Sequence, residues 1–345
     1  MKRSTLLPLI LTTCILCGTL VQCRSSRSQS TPPGQRESRA TYTNPVVNQD
    51  LPDPTVLRDS DGTFFLMATE SAVRNVPILK STDLVHWEQI GTAFTDATRP
   101  TFEPEGRIWA PDLSKIGDRY VIHYSMSKWG GEWTCGIGVA VADRPEGPYQ
   151  DLGLLFRSNE IGVQNSIDPF YIEEDGHHYL IWGSFRGIYY IELTSDGLRV
   201  KEGSEPVRLG GTDFEASYIF KRNGYYYYFG SVGACCNGLE STYTTVVARS
   251  RSLFGPYVNK DGRELKDNGY EVIVRGGNGF VGTGHNSEIV EDDEGETWLF
   301  YHAFKVSDPH GRRLMLDRLS WEDDWPVVED TTPSTEARVP FFRKK

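Results

Sequence analysis

One phrase recurs five times along this chain and limits the folds open to it: a small or polar start, an apolar strand, a Gly-containing turn and an aromatic-rich second strand. The copies begin at Asp53-Pro54-Thr55-Val56-Leu57, Ala110-Pro111-Asp112-Leu113, Asp168-Pro169-Phe170-Tyr171-Ile172, Glu215-Ala216-Ser217-Tyr218-Ile219 and His285-Asn286-Ser287-Glu288-Ile289. Their turns hold Gly62, Gly117, Gly176, Gly224 and Gly295, and Asp-Gly or Asn-Gly between apolar runs is a hairpin signal. The second strands are Phe64 to Met67, Tyr120 to Tyr124, Tyr179 to Trp182, Tyr225 to Phe229 and Trp298 to Tyr301. A third and fourth strand follow each hairpin: Pro77 to Lys80 and Trp87-Glu88, Gly136 to Val139 and Gly147 to Tyr149, Ile188 to Ile191 and Leu198 to Val200, Val246 to Arg249 and Gly255 to Tyr257, Leu314 to Asp317 and Trp325-Pro326. The pattern predicts an all-β chain folded as a five-bladed β-propeller with four antiparallel strands per blade. A two-sheet sandwich also uses short strands but has no use for a fivefold repeat.

Ahead of the repeat, Lys2 and Arg3 precede an apolar run from about Leu6 to Val21, then Gln22 and Cys23. That run is short for a membrane span and has the charged-then-apolar order of an export signal. The expected organisation is a lipoprotein-like signal peptide over residues 1–22, a polar linker over 23–40 and the propeller over 41–345. Cys23 after Leu20-Val21-Gln22 resembles a bacterial lipoprotein site, in which the cysteine carries lipid. The expected location is the periplasm or outer membrane of a Gram-negative bacterium, or the medium if the protein is simply secreted. A net charge of −11 leaves no basic face for nucleic acid. Of six cysteines, Cys14 and Cys17 leave with the signal, so Cys135, Cys235 and Cys236 remain in the domain. Three is no disulfide framework; the adjacent pair could close only a strained ring, and Cys135 could pair with either.

First strands of propeller blades line the central channel, so the start of each copy contributes to one ring. Asp53, Ala110, Asp168, Glu215 and His285 align there, and an apolar channel strand has no structural need for three carboxylates. Clustered carboxylates disfavour one another's ionisation, which raises one pKa and leaves another group charged. That split supplies an acid and a base at one pH, as glycosidic bond hydrolysis requires.

Together with Trp109-Ala110-Pro111-Asp112, Ser166-Ile167-Asp168-Pro169, Glu215-Ala216-Ser217-Tyr218, Gly282-Thr283-Gly284-His285-Asn286-Ser287 and Trp321 to Pro326, these motifs resemble glycoside hydrolase family 43 over residues 44 to 326. Cys235-Cys236-Asn237-Gly238-Leu239-Glu240-Ser241-Thr242-Tyr243 resembles its endo-α-1,5-L-arabinanases in particular. The resemblance implies an inverting glycosidase acting on plant cell-wall arabinan or its oligosaccharides. Asp53 would be general base, Glu215 general acid and Asp168 the group that tunes the acid. It further implies sugar contacts from Trp109, Asn165 and Ser184, a cysteine pair walling the sugar site, and a largely hydrated calcium ion held by His285. The β-fructosidases, which share the five-bladed architecture, carry Asn-Asp-Pro-Asn, Arg-Asp-Pro and Glu-Cys signatures that are missing at the matching places. A propeller that only binds polysaccharide would not need all three carboxylates. Within the family, an exo-acting arabinofuranosidase or β-xylosidase is the alternative, because one triad serves several pentoses.

Overall fold

Phe64-Phe65-Leu66-Met67 shows how the fold is held, since every residue of this strand is buried although side chains alternate between its two faces. Phe64 and Leu66 pack with Trp298, Phe300 and Leu316, while Phe65 and Met67 pack with Ile108 and Ile122. A strand covered on both sides needs apolar residues at every position, which is why the second strands read as unbroken aromatic runs.

The computed structural model describes residues 40–343. The expected signal peptide, most of the linker, and Cys14, Cys17 and Cys23 lie outside the described residues. Within them the regular structure is almost entirely β, with one α-helix of 4 residues at Ser158–Ile161 and short 3-10 turns at Gly238–Glu240, Leu265–Asp267 and Glu329–Thr331. No described helix is long and apolar enough to cross a membrane.

Three four-stranded antiparallel sheets follow one another in sequence order. They are Thr55–Arg58, Phe64–Met67, Pro77–Ser81 and Glu88–Thr92; Arg107–Ile116, Arg119–Ser127, Gly136–Ala142 and Gln150–Arg157; and Phe170–Glu174, His177–Trp182, Ile188–Leu193 and Val207–Gly210. The remaining strands form one nine-stranded sheet rather than two separate ones. Its first part, the fourth sheet below, is Glu215–Arg222, Tyr225–Val232, Thr244–Ser250 and Glu271–Val274. Its second part, the fifth, is Phe280–Gly284, Ile289–Glu291, Thr297–Lys305, Asp308–Glu322 and Trp325–Val327. A single parallel pair, Thr244 with Thr283, joins the parts. The cause is close approach: a side chain at Gly284 would overlap the Tyr243 ring, so only glycine lets the two strands lie this near.

Buried clusters fill the space between neighbouring sheets, and one cluster packs the fifth sheet against the first. The ends of the domain reinforce that closure. Thr41–Thr43 pairs with Glu336–Arg338, and the Tyr42 hydroxyl donates to the Leu316 carbonyl at 2.6 Å.

Two fourth strands lie well later than the sequence suggested, and in the second sheet Gly147 to Tyr149 only leads into the strand, which starts at Gln150. Leu198 to Val200 makes only an isolated bridge, Leu193 with Val200, and the third sheet is completed by Val207–Gly210. Gly255 to Tyr257 is irregular backbone following a turn, and the fourth sheet's outer strand is Glu271–Val274. In both places a turn-rich excursion intervenes, so the nearest apolar residues are not the ones that pair.

Candidate active site

Where the chain enters each sheet it turns left-handed, with φ of 55° at Asp53, 36° at Ala110, 59° at Asp168, 58° at Ala216 and 48° at His285. Such conformations cost non-glycine residues about 1–3 kcal/mol each and persist only where the surroundings fix them. Here a hydrogen bond to the preceding sheet does so. The Ala110 N–H donates to Thr69 Oγ1 at 2.6 Å, Asp168 N–H to Ser125 Oγ at 2.8 Å and His285 N–H to Ser231 Oγ at 2.8 Å. The Asp53 N–H closes the circle onto His302 Nδ1 of the fifth sheet at 3.1 Å. Ala216 is the exception, its N–H bonding to the Asp168 carboxylate at 3.2 Å.

Ala216, not Glu215, is thus the structural counterpart of Asp53 and Asp168. Glu215 stands one position earlier, matching Trp109 of the second sheet. Glu215 pairs with Ser231 as Trp109 pairs with Ser125, and a register shift follows each. The offset still leaves Glu215 facing the other carboxylates: Asp53, Asp168, Glu215 and His285 line one cavity of about 490 Å³, together with Trp109, Asn165 and Ser184.

The three carboxyl groups sit in different surroundings. Burial alone would raise Asp53, but the Arg312 guanidinium 3.0 Å from Oδ1 and the His285 ring hold it well below the usual carboxylate range. The Thr69 hydroxyl donates to its other oxygen at 2.6 Å. Asp168 is pushed up to about 7, chiefly by burial, with the charge of His285 opposing and those of Glu215 and Asp53 adding. Glu215 is also raised by burial, and hydrogen bonds from Ser184 and Tyr243 hold that rise in check. The Ser184 hydroxyl donates to Glu215 Oε2 at 2.6 Å, and Asn165 Nδ2 donates to Ser184 Oγ at 2.9 Å. One carboxylate ready to accept a proton therefore faces a pair that retains one toward neutral pH.

Burial disfavours the charged form of His285, but the charges of Asp53, Asp168 and Glu215 raise its proton affinity overall. His302 is driven the other way, to about 4, by complete burial and the charge of Arg312. Its Nδ1 accepts the Asp53 N–H, so the neutral ring carries its proton on Nε2.

Sequence reasoning missed Thr69, Arg312, His302 and Tyr243. Thr69 lies two residues past the strand Phe64–Met67 and His302 within Thr297–Lys305, and neither carries a motif. Arg312 comes from the long strand Asp308–Glu322. It reaches Asp53 because Gly311, at φ 88°, passes against Asp50 where a side chain would collide. The rim also holds a loop that sequence spacing did not place. Trp129, 79% exposed, stands 5.5 Å from Trp109, and Glu132 is gripped by Arg186 at 2.8 and 3.0 Å and by Gln164 Nε2 at 2.6 Å. Cys235 and Cys236 are bonded to each other and line the same cavity, while Cys135 is buried outside any disulfide. The pairing left open by the sequence is thus the adjacent one.

Among the described residues no three His, Cys, Asp or Glu side chains converge to cage a metal ion. His285 Nδ1 lies 3.3 Å from Asp53 Oδ1, which leaves one ring nitrogen for a cation. Calcium takes six to eight oxygen ligands, so these residues fit an ion that keeps most of its own water and do not fit a protein-lined calcium cage.

Residues 42–326 match the sequence model of Glycosyl hydrolases family 43. The chain is 31% identical, over 81% of its length and 87% of the relative's, to an extracellular exo-α-(1→5)-L-arabinofuranosidase of Cellvibrio japonicus. It is 29% identical to an extracellular endo-α-(1→5)-L-arabinanase of Bacillus subtilis, over 81% of this chain and 88% of that one. Its fold superposes, with a TM-score of 0.72 and 31% identity over 82% of this chain and 96% of the other, on Cellvibrio cellulosa α-L-arabinanase complexed with arabinohexaose.

Proposed function

Because the chain belongs to glycosyl hydrolase family 43, we propose that it is an extracellular endo-arabinanase that hydrolyses α-1,5-linked L-arabinofuranosyl chains with inversion. The observation that carries this reading is the unequal environment of the three carboxyls in one cavity, set beside relatives named as acting on such chains. The scaffold is a five-bladed propeller with four principal strands per blade, a reading supported by the circle of hydrogen bonds and by the packing of the fifth sheet on the first.

In this mechanism Asp53, ionised and held by Arg312 and Thr69, takes a proton from the attacking water. Glu215, kept protonated by burial, gives its proton to the departing glycosidic oxygen. Asp168, anchored by the Ala216 N–H beside Glu215, adjusts the acid by its own charge. Direct displacement by water on one face and departure on the other inverts the anomeric centre. Trp109 supplies an apolar surface for a sugar face, and the Cys235–Cys236 pair forms another part of the cavity wall. Asn165 and Ser184 act on the sugar chiefly by fixing Glu215. A hydrated calcium at His285 would favour the ionised state of nearby carboxylates through its charge. A lipid on Cys23, if present, would anchor the enzyme to a membrane.

Proton NMR of the first product from linear arabinan tests the mechanism, with the inverted anomer expected and net retention refuting it. The same time course tests the mode of attack. Mixed oligosaccharides with a rapid fall in viscosity are expected; arabinose alone at early times would instead favour exo-acting cleavage, the activity named for the Cellvibrio japonicus relative.

A further inference from the structure

Two more grooves border the catalytic cavity, and they differ in how their polar groups are spent. One, about 520 Å³, lies over the first and second sheets and shares Glu70, Ser71, Glu105 and Arg107 with the cavity. Its charges are already paired: Arg99 lies 2.8 Å from Glu70, Arg157 3.0 Å from Glu103, and Lys128 3.5 Å from Glu103. The other, about 550 Å³, lies over the third and fourth sheets and meets the cavity at Phe185. In that groove the side chains of Asp213 and Arg275 are exposed and, like the Tyr270 hydroxyl, have no hydrogen bond or ion pair among the described residues.

The junction itself is firmly held. Phe185 is left-handed at φ 51°, its N–H donates to the Phe214 carbonyl at 2.9 Å, and the next residue, Arg186, grips Glu132. The Tyr270 ring packs edge-on against Phe214, 5.8 Å away, so it too is fixed in orientation. Val232 and the exposed Val272 add apolar surface. Apolar and aromatic walls with a few uncommitted polar groups suit a sugar, whose ring faces are apolar and whose edges carry hydroxyls. One acid and one base, Asp213 and Arg275, leave the groove without net charge, which favours a neutral chain over an acidic polysaccharide.

We propose that this outer groove is a distal sugar subsite, taking the part of an arabinan chain that extends past Phe185, with Phe185 and Tyr270 as platform and Asp213 and Arg275 as hydroxyl partners. The proposal rests on the arabinan-cleaving reading of the catalytic cavity. It gives long chains a hold that short ones cannot reach.

The test compares Tyr270→Ala and Arg275→Ala with wild type on linear arabinan, arabinohexaose and arabinotriose. KM on linear arabinan should rise about fivefold to tenfold, as expected from losing one or two hydrogen bonds. The penalty should shrink steadily as the substrate chain shortens, while kcat on the polymer holds. Should Tyr270→Ala prove unstable, Tyr270→Phe together with Arg275→Ala keeps the comparison. An unchanged KM on the polymer, or an equal change on the trisaccharide, overturns the subsite. A wild-type enzyme that leaves linear arabinan intact overturns the arabinan reading itself, and the subsite with it.

Discussion

Replacing Ser184 by alanine separates two roles that its position allows, holding the acid or touching the sugar. Its hydroxyl lies 2.6 Å from Glu215 Oε2 and donates to it. A hydrogen bond to an ionised group is worth about 1.5–3 kcal/mol, and one pKa unit corresponds to about 1.4 kcal/mol. The bond favours ionised Glu215 and so restrains a pKa that burial pushes up. Without it the carboxyl should hold its proton about one to two units higher, nearer one if water enters the space. Glu215 must be protonated to serve as the acid, so the alkaline limb of kcat/KM should move to higher pH by that amount.

Because Asp168 and Glu215 interact, the limb belongs to the pair and not to either residue alone. The acid limb, set by Asp53, should stay in place. Initial rates on arabinotriose across about pH 4 to 10 read the alkaline limb, the acid one lying below that window because Asp53 is held well below the usual carboxylate range, and Ser184→Thr, which restores a hydroxyl, should return the profile toward wild type. Asn165 keeps its second contact, Nδ2 to the Ser184 carbonyl at 3.1 Å, so the wall should not collapse. An alkaline limb that stays put or moves down refutes the argument. A uniform loss at every pH would mean that Ser184 serves the sugar and not the acid.

Asp53→Asn and Glu215→Gln should each lower kcat by about 10² to 10⁴, the usual worth of a proton-transfer group, with an unchanged circular dichroism spectrum. Exhaustive chelation should lower activity and His285→Ala should reproduce the loss; full activity in chelator would remove the cation from the proposal. Asp112 and Glu288 are buried together and both hold their protons above the usual carboxylate range, burial being the main cause, with the charge of Glu288 adding at Asp112. The folded state therefore keeps a proton that the unfolded chain gives up above about pH 4, and stability should fall as pH rises through the pair's folded range. Melting temperatures measured against pH should show that fall in wild type and a shallower one in Asp112→Asn.

Much of this architecture was legible because its signals are local. An apolar run, an Asp-Gly or Asn-Gly turn and an aromatic run dictate a hairpin without reference to the rest of the chain, and the repeat then brings Asp53, Asp168 and His285 to a common level. What the sequence hides arises where neighbours decide. The entering residues stand seven to ten positions ahead of their turn glycines, so spacing does not decide whether Glu215 or Ala216 is the counterpart of Asp53 and Asp168, and only the strand register settles it. Leu198 to Val200 looks as strand-like as Val207–Gly210, and only the intervening turns decide which of them pairs. Arg312 reaches Asp53 only because the fifth sheet packs against the first, a contact between residues 259 positions apart.

The same circle of hydrogen bonds explains why the acid lies where it does. At three of the five junctions a serine or threonine hydroxyl oxygen at or just past the end of the second strand accepts the next sheet's entering N–H, through Thr69, Ser125 and Ser231. Ser184 occupies the corresponding place at the third junction but turns to Glu215, and the Asp168 carboxylate takes over the Ala216 N–H. Thr69 performs both duties at once, accepting the Ala110 N–H and donating to Asp53, whereas at Ser184 they are divided: the hydroxyl serves Glu215 and the Asp168 carboxylate holds the Ala216 N–H. That bond also ties Asp168 to the backbone next to Glu215, which keeps the proposed tuning group beside the proposed acid. An alanine at Asp168 would therefore do more than remove a charge: it would leave the Ala216 N–H, next to Glu215, without its partner. Asparagine, which keeps an oxygen for that N–H, should disturb the acid less than alanine does, and the difference between the two variants measures how much of Asp168's role is positional.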